Sequence, residues 1–365
     1  MYLKSLVKKM RNYFWASPIV WVILLVGCGA GSVLDPFVPT RIIAFGDSFM
    51  DVRTPRFTVN DATNPQQLTL IERFVANYNF ASVTSVDPAA STALPSSGAF
   101  SYGQGNALVM GAVAASAQPA GASAFPVQAQ INSFLNGNGS FSSSDLVVIN
   151  GGTADILSNT ISGTQGNVTT AASNLASLVE LIISKGATHV VVFGAPNLSR
   201  TPYAYANNQY SSTLQSLSLY NNNVSCTDFQ CKLTLDIQQH FGSISQNPVL
   251  VVDISAQSSV ITGTTDTGTV STFTGAVDPL YGVALLYPGD NNPSFTDTSN
   301  KNYFCDGQSG RNSVPFISNT GTQCTSITSL DYLTYAYADQ INFAPSVNRM
   351  LADYIIGRLS LASWR

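Results

Sequence analysis

Arg41-Ile-Ile-Ala-Phe-Gly-Asp-Ser-Phe-Met-Asp51 is the stretch that decides the fold. Four consecutive apolar residues, Ile42 to Phe45, stop abruptly at Gly46-Asp47-Ser48. A short apolar run bounded by turn residues is the pattern of a strand buried on both faces of a parallel sheet. Leu146–Asn150, His189–Phe193 and Val249–Asp253 repeat it. Helical patterns lie between and around these runs, at Pro65–Tyr78, Val127–Leu135, Tyr210–Tyr220, Lys232–Phe241 and Pro345–Leu361. The plainest is Val168–Lys185, with Leu175, Leu178, Val179, Ile182 and Ile183 on one face and Gly186 as its stop. Strand and helix in alternation predict an α/β fold, a central parallel sheet flanked by helices in three layers. Ligands then bind at the carboxyl ends of the strands. Residues 41–365 read as a single domain. Thr262 to Leu330, rich in Gly, Thr, Ser and Asn and without periodicity, predicts a long surface insertion.

Composition narrows the function. The chain has 365 residues, 45% of them hydrophobic, enough for a sizeable core, and only 10% charged. Sixteen basic and 20 acidic residues give a net charge of -4, and the basic residues form no cluster that would hold nucleic acid or phosphate. Two histidines in the whole chain leave little room for a His-built metal site. No metal or cofactor is expected.

The N-terminus reads as an export signal over residues 1–27. Lys4, Lys8, Lys9 and Arg11 precede an apolar run from Phe14 to Gly27. At about 14 residues the run is shorter than the ~20 needed to span a bilayer, and it fits the apolar core of a signal peptide. The following Leu25-Val-Gly-Cys28 resembles a bacterial lipobox, which implies that the Cys28 thiol is lipidated and that residues 28–40 tether a domain to a membrane. An ordinary cleaved signal is the alternative. Removing residues 1–27 takes away four positive charges and leaves 12 basic against 20 acidic residues, or -8. The acyl chains would therefore hold the protein at the membrane without electrostatic help. Four cysteines remain. Sequential pairing, Cys226 with Cys231 and Cys305 with Cys324, is the simplest of three connectivities, and a Cys₄ zinc site lacks its usual spacing.

The polar residues gather just after the strands. Gly46-Asp-Ser48-Phe-Met-Asp51 resembles the nucleophile block of the SGNH or GDSL ester hydrolases. Phe100-Ser-Tyr-Gly-Gln-Gly105-Asn-Ala resembles their second block, and Ser144-Asp-Leu-Val-Val-Ile-Asn-Gly151-Gly-Thr-Ala-Asp155 their third. Gly194-Ala-Pro-Asn-Leu-Ser-Arg200 is similar to a loop typical of the family. Asp339-Gln-Ile-Asn342-Phe-Ala-Pro-Ser-Val-Asn348-Arg349 is similar to the last block. The resemblance implies the family's flavodoxin-like fold and ester hydrolysis, with Ser48 as nucleophile and Asp339 as the acid. It also implies an oxyanion hole built from the Ser48 and Gly105 N–H groups and a third-block side chain. No Gly-x-Ser-x-Gly elbow occurs, which argues against the other common serine-hydrolase fold. Asp47, Asp51, Asp155 and Asp253 read as structural.

Two departures weaken that implication. The family's catalytic His is replaced by Asn342, and a carboxamide has no basic nitrogen to take the serine proton. A second, non-catalytic His is replaced by Asn348. The oxyanion Asn is replaced by Ala154, which has no side-chain donor. Loss of the His from a serine triad costs on the order of 10⁶ in rate, and loss of one oxyanion donor ~10²–10³. His189 begins its strand roughly 16 Å from the end where the chemistry sits, and His240 falls on an outer helix; neither is placed to substitute. Asp339 acting directly on Ser48 is a further option, though a carboxylate is a weak base for a hydroxyl. Asn150, Asn106 and Thr153 are the alternative donors, and the residues do not choose among them. Two readings follow. One is an ester hydrolase of lipid or other acyl esters at a bacterial envelope, with the outer membrane as the expected location. The other is a weak or inactive descendant, a pseudoenzyme whose cleft binds an acyl or glycan ligand or serves as an interaction module.

Overall fold

The structure, a computed structural model, describes residues 37–53, 56–60, 69–111, 124–161, 163–164, 167–206, 213–221, 225–242, 248–261, 305, 332, 335–362 and 364. The export signal, the proposed lipid site at Cys28 and nearly all of the insertion at 262–330 lie outside these residues.

Among the described residues six strands and nine helices follow one another. They are β1 (Arg41–Phe45), α1 (Leu70–Ala76), β2 (Val83–Ser85), β3 (Gly98–Ser101), α2 (Val127–Asn138), β4 (Asp145–Asn150), α3 (Thr153–Ile161), α4 (Asn167–Ser184) and β5 (His189–Phe193). Then come α5 (Pro202–Ala206), α6 (Thr213–Ser218), α7 (Phe229–Phe241), β6 (Val249–Val252), α8 (Ile254–Ile261) and α9 (Pro345–Leu361). The sheet runs β2-β3-β1-β4-β5-β6, every pair parallel. This is the expected α/β architecture.

Side chains alternate across the sheet, and both faces are apolar. Ile43, Phe45, Val147, Ile149, Val190 and Val192 belong to one core with Val127, Ile131 and Phe134 of α2, Leu175 and Val179 of α4 and Leu233 of α7. Ile42, Ala44, Val148, Val191 and Phe193 are equally buried. On the side of α1, α8 and α9, helices α1 and α8 pack against α9, which also meets β6. That burial on both faces is why these runs carry no polar alternation.

Helix ends follow local chemistry. Thr69 caps α1 in a capping box with Glu72. Pro345 opens α9 in the first turn, where a missing N–H costs nothing. Gly186, at φ +105°, turns the chain after α4. Asp253 falls just past β6, where its Oδ1 accepts from the Ser255 and Ala256 N–H groups and starts α8. Two strands have no signal of the kind used above. β2 is three residues, two of them exposed, at the sheet edge, and β3 is four residues beginning with glycine.

The strand order places the site. The connection leaving β1 runs toward one edge of the sheet and the connection leaving β4 toward the other. The loops after these two neighbours therefore part and leave a crevice at their carboxyl ends.

Candidate active site

Ser48 lies in the turn that follows β1. Since Phe45 pairs with Ile149, Gly46 stands opposite Asn150 at the end of β4. Gly46 has φ +152°, and a Cβ there would come within 1.8 Å of the Asn150 side-chain oxygen, so only glycine fits. Gln130 reaches in from α2 and clamps the same residue. Its Oε1 accepts from Gly46 N–H at 2.8 Å, and its Nε2 donates to Gly46 O at 2.9 Å. Asn150 accepts from the Asp47 N–H and donates to Asp47 Oδ1 at 2.6 Å, and Asp47 Oδ1 also takes the Phe49 N–H. These bonds engage the N–H groups on both sides of Ser48, while the Ser48 N–H has no partner among the described residues. In sequence a lone glutamine on a helix carries no signal, and the role of Gln130 appears only once the helix is docked.

The last block forms a narrow loop closed by the Tyr337–Phe343 bridge. Asp339 is fully buried, and its Oδ1 accepts from the Ile341 and Asn342 N–H groups. Its Oδ2 takes a 2.8 Å bond from Asn342 Nδ2. The carboxamide thus gives Asp339 the side-chain N–H that an imidazole would give. Asp339 faces these partners and makes no bond to Ser48. Cys305, which is disulfide-bonded to a cysteine outside the described residues, donates its N–H to Ala338 O and ties the insertion to this loop. The pairing of Cys226 with Cys231 is as expected.

Ser48, Asn342, Thr153 and Asn348 line one solvent-open pocket with an apolar rim that includes Phe49, Pro196 and Phe343. The structure thereby brings together the first, third and last blocks. Gly105 is a correction to the expectation. Its N–H donates to Asp51 Oδ2 at 2.7 Å, a carboxylate that also holds Arg53, so it offers nothing to a ligand. The reason is local, since Asp51 is buried and needs donors. The neighbouring Gly103 and Gln104 N–H groups are engaged with Ser101 Oγ and Gly46 O. Asn150 is fully buried, holds Asp47 with its amide and does not line the pocket. Asn106 does not line the pocket. Ala154 is buried at the start of α3 and has no polar side-chain atom.

Neither histidine approaches. His189 is at the amino end of β5, bonded to Thr188 Oγ1 and edge-on to Trp364, and partial burial lowers its pKa. His240 pairs with Glu180 at 2.9 Å, with 54% of its side chain exposed. Two carboxylates do lie under the cleft. Burial raises the pKa of Asp47, and it pushes that of Asp155 up to about 7 although the Val109 N–H donates to it. Among the described residues no group of three His, Cys, Asp or Glu side chains is placed to hold a metal ion.

A serine on the turn after the first strand of a parallel sheet, facing an acid-bearing loop from near the C-terminus, defines the scaffold of a serine ester hydrolase. The family model for GDSL-like Lipase/Acylhydrolase matches residues 42–260, and the chain belongs to that family. The match ends before the block that carries Asp339 and Asn342. No match was found among curated proteins.

Proposed function

We propose that this protein is an impaired GDSL-type ester hydrolase that keeps the cleft for an acyl ester and turns esters over weakly or not at all. One observation carries the reading: Asn342 occupies the hydrogen-bonding position beside Asp339, where a base is needed, and both imidazoles of the chain are engaged elsewhere. Ser48 has a nucleophile's placement but nothing to take its proton, and an alcohol ionises far above neutral pH. The apolar rim suits an acyl chain and the hydroxyl and carboxamide groups suit an ester carbonyl, so the cleft favours acyl-ester binding over a glycan. The mature protein is expected to cleave a short-chain aryl ester no faster than Ser48→Ala. A clear Ser48-dependent rate would overturn the inactive reading.

The N-terminal pattern supports a lipoprotein of a bacterial envelope, anchored through Cys28, and Gly29 rather than Asp after the cysteine favours the outer membrane. Radiolabelled palmitate should enter the wild-type chain and not Cys28→Ser; equal labelling of both would remove the anchor from this account.

A further inference from the structure

The polar atoms that face the pocket decide which acyl ligand it prefers. Every polar atom of Asn342 but one is engaged within the last block. Its N–H donates to Asp339 Oδ1, its backbone O accepts from the Ala338 and Asp339 N–H groups, and its Nδ2 donates to Asp339 Oδ2. The carboxamide is thereby held one way round, because a carboxylate has to be met by the NH₂ end. Its oxygen, Oδ1, is left with no hydrogen-bond partner among the described residues, and it is not closed off from solvent as the Thr153 hydroxyl is. Asn342 as a whole is only 7% exposed and borders the pocket together with Ser48. A carbonyl oxygen so nearly buried is a binding position for an N–H or O–H, since leaving one unmet costs about 1–3 kcal/mol.

Ser48 brings the opposite polarity to the same pocket. Its backbone N–H has no partner among the described residues, and it makes no bond to Asn342. One loop thus offers a donor and another an acceptor to one small space. A secondary amide answers both, because its trans geometry points C=O and N–H in opposite directions. An ester of the same shape answers only the first. Where the amide has its N–H the ester has a second acceptor oxygen, and against Asn342 Oδ1 two lone pairs would meet with no hydrogen between them. Position 342 is the place for that contrast. In a serine hydrolase the base that takes the serine proton returns it to the leaving group, so it stands beside the atom joining the acyl carbon to the rest of the ligand. That atom is N–H in an amide and O in an ester. The other carboxamide of the pocket, Asn348, directs its Nδ2 to Thr58 Oγ1 and Phe343 O.

We propose that Asn342 Oδ1 turns this cleft toward N-acyl amides. It takes the amide N–H while the Ser48 N–H takes the carbonyl, so a secondary acyl amide binds more tightly than the ester it resembles. The inference rests on the acyl-binding reading above and goes beyond it in naming the linkage that the cleft prefers.

Three ligands of one chain length test it by ligand-observed NMR titration of the mature wild-type protein: N-methylhexanamide, methyl hexanoate and N,N-dimethylhexanamide. The first should bind about 10-fold more tightly than the second, the worth of roughly one hydrogen bond. The third has an amide carbonyl but no N–H, and it should bind no more tightly than the ester. In Asn342→Ala the secondary amide and the ester should bind within about 2-fold of one another. A merely structural role would weaken both ligands and leave their ratio unchanged. The wild-type series decides by itself if the variant does not fold. Secondary amide and ester binding equally to wild type, a tertiary amide as tight as the secondary one, or a preference that survives Asn342→Ala would each overturn the Asn342 role and leave the acyl-ester reading standing. Binding of none of the three would overturn both.

Discussion

Around Ser48 the turn is held from far away, by Gln130 of α2 and Asn150 of β4, some 80 to 100 residues along the chain. The bonds to the Asp339 carboxylate come from Ile341 and Asn342, within three residues, while the backbone on either side of it is met by the Cys305 and Tyr203 N–H groups. The first arrangement is lost if a distant element shifts. At the carboxylate the second is a local turn of the kind aspartate forms with its own following backbone, to which position 342 adds a side-chain N–H. Asparagine supplies that N–H as well as histidine does. On the reading proposed above, an asparagine at 342 keeps that hydrogen bond without offering a nitrogen that accepts a proton.

The largest effect tests that contrast directly. Asn342→His with Ala154→Asn is expected to raise kcat/KM for a short-chain aryl ester at least 100-fold over wild type, since the absent base alone is worth on the order of 10⁶ in related triads. A folded double variant with no gain would show that the nucleophile side has been remodelled as well, and the contrast between the two loops would collapse.

Stability sharpens the same point. Gln130→Ala strips partners from the buried N–H and O of Gly46 and from Phe125 O. It should cost about 3 kcal/mol in denaturant unfolding, at 1–3 kcal/mol for each exposed need. Asn342→Ala leaves Asp339 its two backbone donors and should cost only about 1 kcal/mol. Equal losses would contradict the distinction between a turn held by tertiary bonds and one held locally.

A different kind of test is in pH. Asp155 is held at about 7 by burial, above the ordinary carboxylate value of 3.8, so the native state binds its proton more tightly than the unfolded chain does. Stability from this group is full below about pH 4, declines as pH rises, and is gone above about pH 7. Asp155→Asn can still accept from the Val109 N–H and cannot ionise, so its melting temperature should fall less than that of wild type between pH 4 and 8. Parallel curves for the two proteins would rule out the buried charge as the cause.

Much of the fold was readable from runs such as Leu146–Asn150 and Val168–Lys185, because burial on both faces of a strand or along one helix stripe imprints a pattern on consecutive residues. β2 and β3 were not, since a three-residue exposed edge and a four-residue run starting at Gly98 are too short to show a period. At the site, Ser48, Asp339, Asn342 and Ala154 could be placed by their blocks. The engagement of Gly105 with Asp51 could not, and neither could the docking of Gln130.

The chain by itself settled which atoms are present: a serine hydroxyl after the first strand, a carboxamide at position 342 and a methyl at position 154. Side-chain chemistry is a property of residue identity and needs no coordinates. Which donors remain available was decided only by tertiary structure, because a hydrogen can be given to one acceptor at a time. The packing of loops from distant parts of the chain determines that Gly105 gives its hydrogen to Asp51 and Gln104 gives its hydrogen to Gly46 O.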